Sequence, residues 1–355
     1  MKISILGAGN GGTTVSADLA RKGHEITLCK TSNSTLHDKN FQQLQRTKSV
    51  KVYDLEETYD VKLANVTRNL EEAITDADLI ILYIQTNYHE NLVKRMAPFL
   101  KEGQTILFEP GALSTCYVLK HVDTDVTVIE AESSPIDCRI EEPGVVRILF
   151  KNVLNPFGVY PIDDSQKADE IIKQLGYGYR LLDSVVEAAL HNPNIIVHTV
   201  GSIFSIPRIE FSKGEYWMYK EVFTPHIWNI VEALDNEKIQ ILKKLNFKPV
   251  PYIEACQERN FINDTRTAKE AFFDYAYNHS PKGPDVPNSR YITEDVSQGL
   301  VLVESLGKML NVKTPISTSL INCASAALKT DFRMYGRTIE NLGEENLMTI
   351  FSEIK

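Results

Sequence analysis

The sequence predicts an α/β chain in two parts, an amino-terminal half built on a parallel sheet and an all-helical carboxyl-terminal half. Three observations predict this. Short apolar runs at 3–6, 25–29, 78–84, 105–108 and 126–129 alternate with amphipathic stretches such as 90–100 and 165–175, the pattern of buried strands joined by crossover helices. A glycine cluster, Gly7-Ala8-Gly9-Asn10-Gly11-Gly12, separates the first apolar run from the first helical one. From about Leu182 strand signals stop, and apolar residues recur at three- and four-residue spacing over 185–206, 216–245 and 294–310. The division is therefore placed at 182, giving domains 1–182 and 183–355. Segments 144–154 and 156–159 are expected to extend the first domain's sheet, and 279–287, rich in glycine and proline, reads as a loop.

The glycine cluster has the spacing G-x-G-x-x-G, with a strand before it, a helix ending at Gly23 after it, and a second strand at 25–29 completing a βαβ unit. That context makes the first domain a Rossmann-type dinucleotide-binding domain. Gly7 serves the tight turn, Gly9 lets the backbone approach a pyrophosphate, and Gly12 lets helix and strand pack closely. Asn10, Gly11 and Gly12 begin the helix, whose free N–H groups and positive dipole end face the phosphates. A carboxylate about 20 residues beyond the loop would bind the ribose hydroxyls of NAD. Here the second strand ends Lys30-Thr31-Ser32, without an acid. A cation beside two hydroxyls suits a 2′-phosphate, so NADP(H) is favoured over NAD(H); the plain alternative is a lysine pointing into solvent.

Composition narrows the remaining classes. The 355 residues are 43% apolar and 24% charged, which suits a globular chain with a core in each domain. A formal charge of -9 with no basic stripe argues against a nucleic-acid partner. No run approaches the roughly 18 apolar residues of a membrane span, and Lys2-Ile3-Ser4-Ile5-Leu6 reads as a strand rather than a signal peptide. Five widely spaced cysteines without a C-x-x-C pair indicate neither a disulfide framework nor a metal site, and point to a reducing cytoplasm.

Within the helical half, 191–199 carries the most chemistry. If Pro193 opens a helix, Asn194 and His198 lie four residues apart on one face of an otherwise apolar segment. An amide and an imidazole there need polar partners, and a substrate could supply them; the alternative is a core histidine satisfied by its neighbours. His191 reads as a helix-start residue.

Taken together, Gly7–Gly12 (the glycine cluster), Ala131-Glu132 with Cys138-Arg139, His191-Asn192-Pro193-Asn194 with His198, and Ser289-Arg290-Tyr291-Ile292-Thr293-Glu294-Asp295-Val296 resemble the opine (octopine/nopaline) dehydrogenases. The motifs run in that family's order over nearly the whole chain. The resemblance implies the 6-phosphogluconate-dehydrogenase-like fold, with a site in a cleft between domains. It also implies reductive condensation of an amino acid with a 2-oxo acid, pyruvate or 2-oxoglutarate, through an imine reduced by hydride from NAD(P)H. Carried over residue by residue, it makes His198 the acid/base, Asp295 its partner, and Asn194 a hydrogen-bonding neighbour. Arg290 becomes the ligand of a substrate carboxylate, Glu132 a contact to the amino-acid substrate, and Arg139 a second candidate arginine.

The chemistry asks for such groups: loss of water from the carbinolamine needs a proton donor, the reverse oxidation needs a base, and imidazole does both. A carboxylate on its other nitrogen fixes the tautomer, and bidentate carboxylate capture calls for arginine. Asp295 could instead cap a helix, and Glu132 and Arg290 could be ordinary ion-pairing residues. The chain departs from the family at Ile84-Gln85-Thr86-Asn87 and at Glu109-Pro110-Gly111-Ala112, which leaves substrate identity open, as do Tyr216, Trp217 and Trp228. Ketopantoate-reductase-like or glycerol-phosphate-dehydrogenase-like enzymes of the same fold use a lysine at the start of the second domain. No lysine lies between Arg180 and Lys213. A non-catalytic NADP(H)-binding sensor would have no need of the His198–Asp295 pair. The long apolar helices could build a homodimer interface.

Overall fold

The computed structural model describes residues 1–261 and 265–354. They form two compact units, Met1–Ala189 and Leu190–Lys355. The strands of the first are β1 (Lys2–Leu6), β2 (Glu25–Cys29), β3 (Ser49–Tyr53), β4 (Thr58–Lys62), β5 (Asn65–Thr67), β6 (Leu79–Leu82), β7 (Thr105–Phe108), β8 (Thr127–Ala131), β9 (Ile136–Glu142), β10 (Val145–Lys151), β11 (Asn155–Tyr160) and β12 (Tyr179–Leu181). Its helices are α1 (Asn10–Arg21), α2 (Asp38–Thr47), α3 (Leu70–Ile74), α4 (His89–Met96), α5 (Thr115–His121), α6 (Ser165–Gln174) and α7 (Val185–Leu190), the last crossing into the second unit.

Eight strands make the main sheet in the order β12-β11-β8-β7-β6-β1-β2-β5, with β1, β2, β5, β6, β7 and β8 parallel. Their near-continuous apolar sequences follow from burial on both faces. The order reverses direction at β1, which puts the β1–α1 turn at the carboxyl edge of the sheet, where open α/β sheets bind ligands. β11 runs antiparallel to β8 at one side.

Residues 144–154 do not extend this sheet. Their strand, β10, belongs to a separate four-stranded sheet in the order β4-β3-β10-β9. β9 and β10 alternate buried with exposed residues, as a ribbon with one solvated face does, and α1 packs against them. Strands β3 and β4 were not anticipated from the sequence.

The second unit is helical throughout its described residues: α8 (Asn194–Ile203), α9 (Ile206–Ser212), α10 (Met218–Val222), α11 (Pro225–Lys244), α12 (Tyr252–Phe261), α13 (Ala268–Asn278), α14 (Arg290–Thr293), a π-turn (Val296–Leu300), α15 (Val301–Met309), α16 (Pro315–Leu328), α17 (Ile339–Leu342) and α18 (Glu344–Ser352). The long helices expected at 185–206 and 216–245 are broken where proline removes a backbone donor. Pro193 separates α7 from α8, with Asn192 Oδ1 accepting the Asn194 N–H at 3.0 Å, and Pro225 opens α11. The stretch 294–310 is likewise not one α-helix, because the π-turn intervenes. No described helix is long and apolar enough to cross a membrane.

Candidate active site

At the carboxyl edge of the main sheet, Gly7 takes φ +130°, a region closed to most side chains, and a Cβ on it would fall on the Tyr83 carbonyl. A Cβ on Gly12 would fall on the Gly7 carbonyl, and one on Gly11 would press the Tyr83 ring at 2.9 Å. Gly9 differs, because the nearest atoms to its Cβ position belong to the His37 ring at 3.7 Å. The loop is therefore tight where helix and strand meet and open where a phosphate would approach. α1 starts at Asn10 with no side-chain cap and no acid in its first turn, which leaves its amino end suited to an anion. Asn10 itself is engaged, accepting the Ile140 N–H at 2.9 Å. These residues fit a dinucleotide.

The Lys30-Thr31-Ser32 end of β2 differs from a simple exposed cation. Lys30 is buried, and its ammonium donates to the Leu36 carbonyl and to Asp38, each at 2.6 Å. Two exposed arginines flank the same turn. Arg95 donates to the Thr31 carbonyl at 2.9 Å, and Arg68 donates to the Ser32 carbonyl and to Asp38, both at 2.8 Å. Lys30 and Arg68 thus share the Asp38 carboxylate, and Arg95 braces the same turn through its backbone. His37, in left-handed conformation, has its pKa lowered by burial and then by Lys30.

Beneath the glycine loop lies a buried acid that sequence reading noted only as a departure. Glu109 accepts hydrogen bonds from the Tyr83 hydroxyl and, at 2.7 Å, from that of Tyr179. Burial pushes its pKa up to about 7 against the opposing effect of the two phenols. Glu132, also buried, ends β8 with its backbone N–H on the Pro156 carbonyl at 3.1 Å. Arg139 lies half exposed on β9, donating to Asp137 at 3.0 Å and to the Cys138 carbonyl at 2.7 Å. His89 is a structural residue, bridging the Ser114 hydroxyl (2.7 Å) and the Ile84 carbonyl (3.3 Å).

In the second unit, Pro193 caps α8 and places Asn194 and His198 one turn apart on one face. His198 Nδ1 lies 2.8 Å from Asp295 Oδ2, both side chains being 9% exposed. A carboxylate only accepts, so Nδ1 carries the proton and donates, leaving Nε2 as the other nitrogen. Nε2 and the Asn194 amide have no hydrogen-bond partner among the described residues.

Asp295 sits at the entry to the π-turn and contributes no cap bond. The π-turn is pinned on both sides. Gly299 passes α8 so closely that a Cβ would meet Ile195 at 2.8 Å. On the other side the fully buried Arg337 donates from Nε to Gln298 Oε1 at 2.9 Å and from its backbone to the Ser297 carbonyl at 3.0 Å. Arg290 is half exposed on α14, 3.7 Å from the Glu294 carboxylate. The Tyr291 ring stacks on His198 at 3.7 Å between centroids and 5° between planes.

Known proteins carry the same two-part pattern. Residues 181–328 match the family described as NAD/NADP octopine/nopaline dehydrogenase, alpha-helical domain, and residues 2–109 match the NAD-dependent glycerol-3-phosphate dehydrogenase N-terminus. An opine dehydrogenase of Arthrobacter sp. (strain 1C) is 28% identical over 97% of this chain and 95% of its own length. The helical half thus matches the octopine/nopaline dehydrogenase domain, and nearly the whole chain is similar to an opine dehydrogenase. The vitopine synthase of Allorhizobium ampelinum is 26% identical over 97% of this chain and 96% of its own. An octopine dehydrogenase solved with NADH and pyruvate has the same fold, with TM-score 0.77 at 17% identity, covering 100% of this chain and 98% of that one. The family's NAD(P) cofactor agrees with the glycine loop.

His198, Asp295 and Asn194 are brought together within the helical unit. The glycine loop and the Lys30-Thr31-Ser32 turn share the sheet's carboxyl edge, and Arg139 is held in a surface ion pair. Tyr291, Arg68 and Glu109 were missed. Tyr291 and Glu109 each lay inside quoted motifs, but a face-to-face stack and a buried triad leave no spacing signal. Arg68 follows β5, far in sequence from the β2 turn it flanks.

Proposed function

We propose that this chain is an opine-type dehydrogenase that condenses an amino acid with pyruvate or 2-oxoglutarate, draws its hydride from NADPH in preference to NADH, and uses His198 as acid/base. The observation that carries this is the His198–Asp295 pair, a buried imidazole held in one tautomer with Nε2 making no hydrogen bond among the described residues. Nε2 takes the proton that the substrate amine sheds as it attacks the keto carbon, then returns it to the carbinolamine hydroxyl, which leaves as water. Asp295 stabilises the positive charge that the ring carries before transfer. The nicotinamide cofactor, when bound, supplies the hydride that reduces the imine carbon to the secondary amine. Asn194 offers an amide to substrate one turn before His198, Arg290 a guanidinium for a carboxylate, and Glu132 a carboxylate for the substrate ammonium. Arg139, tied to Asp137, is the weaker of the two arginines.

NADP(H) preference rests on the β2 turn. Asp38, beside this turn, is paired with both Lys30 and Arg68, so the turn keeps a cationic excess. Arg68 and Arg95, being exposed, are better placed than buried Lys30 to receive a 2′-phosphate.

The test mixes the protein with NADPH, either 2-oxo acid and a panel of amino acids. NADPH loss should require the amine, and the selected amine identifies the second substrate. Reduction of the 2-oxo acid alone would overturn the imine route. His198→Ala should lower turnover by about 100- to 10,000-fold while NADPH still binds, and full activity in that variant would refute the acid/base assignment.

A further inference from the structure

A single hydrogen bond does not fix an imidazole. Asp295 holds the Nδ1 edge of His198, but a ring restrained at one edge atom can still swing its plane about that contact. Proton transfer through Nε2 is sensitive to where the opposite edge points, and a misplacement of about 1 Å can cost roughly 100-fold in rate. The structure supplies a second restraint. Tyr291, at the second position of α14, lays its ring flat on His198 at 3.7 Å and 5°. α14 and α8 pack directly on one another, and the backbone bonds that start α14, from Ile292 and Thr293 N–H to the Ser289 carbonyl at 3.1 and 3.0 Å, fix where Tyr291 begins. The imidazole is therefore held at an edge by Asp295 and on a face by Tyr291, and the two residues stand four apart in one short stretch of chain.

We propose that Tyr291 is a positioning residue for the reaction, setting the plane of the His198 ring so that Nε2 points to the reacting atoms. The proposal rests on the acid/base reading of His198. The stacked face does the positioning, so the phenol oxygen is not required, and Tyr291 acts on turnover through His198 alone.

Four variants test it, Tyr291→Phe, Tyr291→Leu, His198→Ala and the double Tyr291→Leu/His198→Ala, each first checked for NADPH binding and thermal midpoint. Tyr291→Phe should keep kcat within about threefold. Tyr291→Leu should lose about 10- to 100-fold in kcat with KM for both substrates and Kd for NADPH within about threefold. In the His198→Ala background, Tyr291→Leu should cause no further loss, because two residues that act through one ring are not additive. Wild-type kcat in Tyr291→Leu, equal damage in Tyr291→Phe, or the same fold-loss with and without His198 would each overturn the proposal. Should Tyr291→Leu unfold, Tyr291→His and Tyr291→Trp keep an aromatic face, and loss of kcat in both would overturn it. Retained activity in His198→Ala is a separate result that refutes the acid/base reading itself.

Discussion

At the residue scale, Glu109 shows how burial sets a charge. Its carboxyl sits under the glycine loop between two phenols, and burial moves its pKa from 4.5 to about 7. The fold therefore favours the protonated form. Below pH 4.5 both folded and unfolded chains hold the proton, so Glu109 costs nothing there. As pH rises from about 4.5 to 7 the unfolded chain ionises first, and stability falls by about 3 kcal/mol from this group alone. Glu109→Gln removes that dependence. Denaturant midpoints of the variant relative to wild type should rise across pH 5 to 7.5, and a gap that does not change with pH would refute the assignment. Sequence reading reached Asn194 and His198 through their helical spacing, and Asp295 through the family resemblance alone. It misread the setting of Lys30, since the chain after β2 folds back and brings the Leu36 carbonyl and Asp38 onto an ammonium that composition would leave in solvent.

At the element scale, the parallel strands, α1, α6 and the helical character of the second half were legible, because apolar runs and 3.6-residue periodicity record burial directly. Element ends and breaks were less so. Pro193 was read as a helix start, but an apolar pattern continuing past Pro225 masked the break there. The β3–β4 and β9–β10 ribbons were obscured by charged residues on their solvated faces. Packing between elements also depends on ion pairs that no pattern announces. Glu304 of α15 accepts from Arg333 Nε at 2.6 Å and Nη2 at 2.7 Å, and from Thr318 of α16 at 2.6 Å. Arg333 first, then Thr318, hold its pKa down at about 2 against burial. Its stabilising effect is complete above about pH 4.5 and fades as pH falls toward 2. Arg333→Met should therefore lose about 2 kcal/mol at neutral pH, with the gap to wild type closing under acid. Unfolding curves at pH 7 and about pH 2.5 decide the point, since an equal gap at both would mean that the loss does not come from the ionised pair.

At the scale of the whole molecule, the nucleotide-binding residues and the proposed acid/base pair belong to different compact units. Sequence reading placed the change of architecture at residue 182, where strand patterns end, whereas the compact units divide after Ala189, because α7 packs with the first. The separation gives a clean dissection. NADPH at 100 times its Kd should stabilise the protein by about 2.7 kcal/mol, and His198→Ala should preserve that gain while losing turnover. Arg68→Ala should do the reverse for one cofactor only, weakening NADPH by about tenfold, as loss of a charge-assisted contact predicts, and leaving NADH unchanged. Equal weakening of both would place Arg68 outside the 2′-phosphate site.

The π-turn after Asp295 has a consequence for how this chain can change length. A π-turn holds one residue more than an α-helix of the same rise, and it gives up better backbone geometry to do so. Deleting one residue between Val296 and Leu300 would regularise the helix, an edit that backbone energetics alone would welcome. Re-forming α-helical bonds with the surplus residue kept would instead rotate everything before it by about 100° relative to α15, carrying Asp295 off His198. The wide turn takes up the surplus residue and keeps a carboxylate aimed, and its conversion to α-helix is read out in chemistry before it is read out in folding.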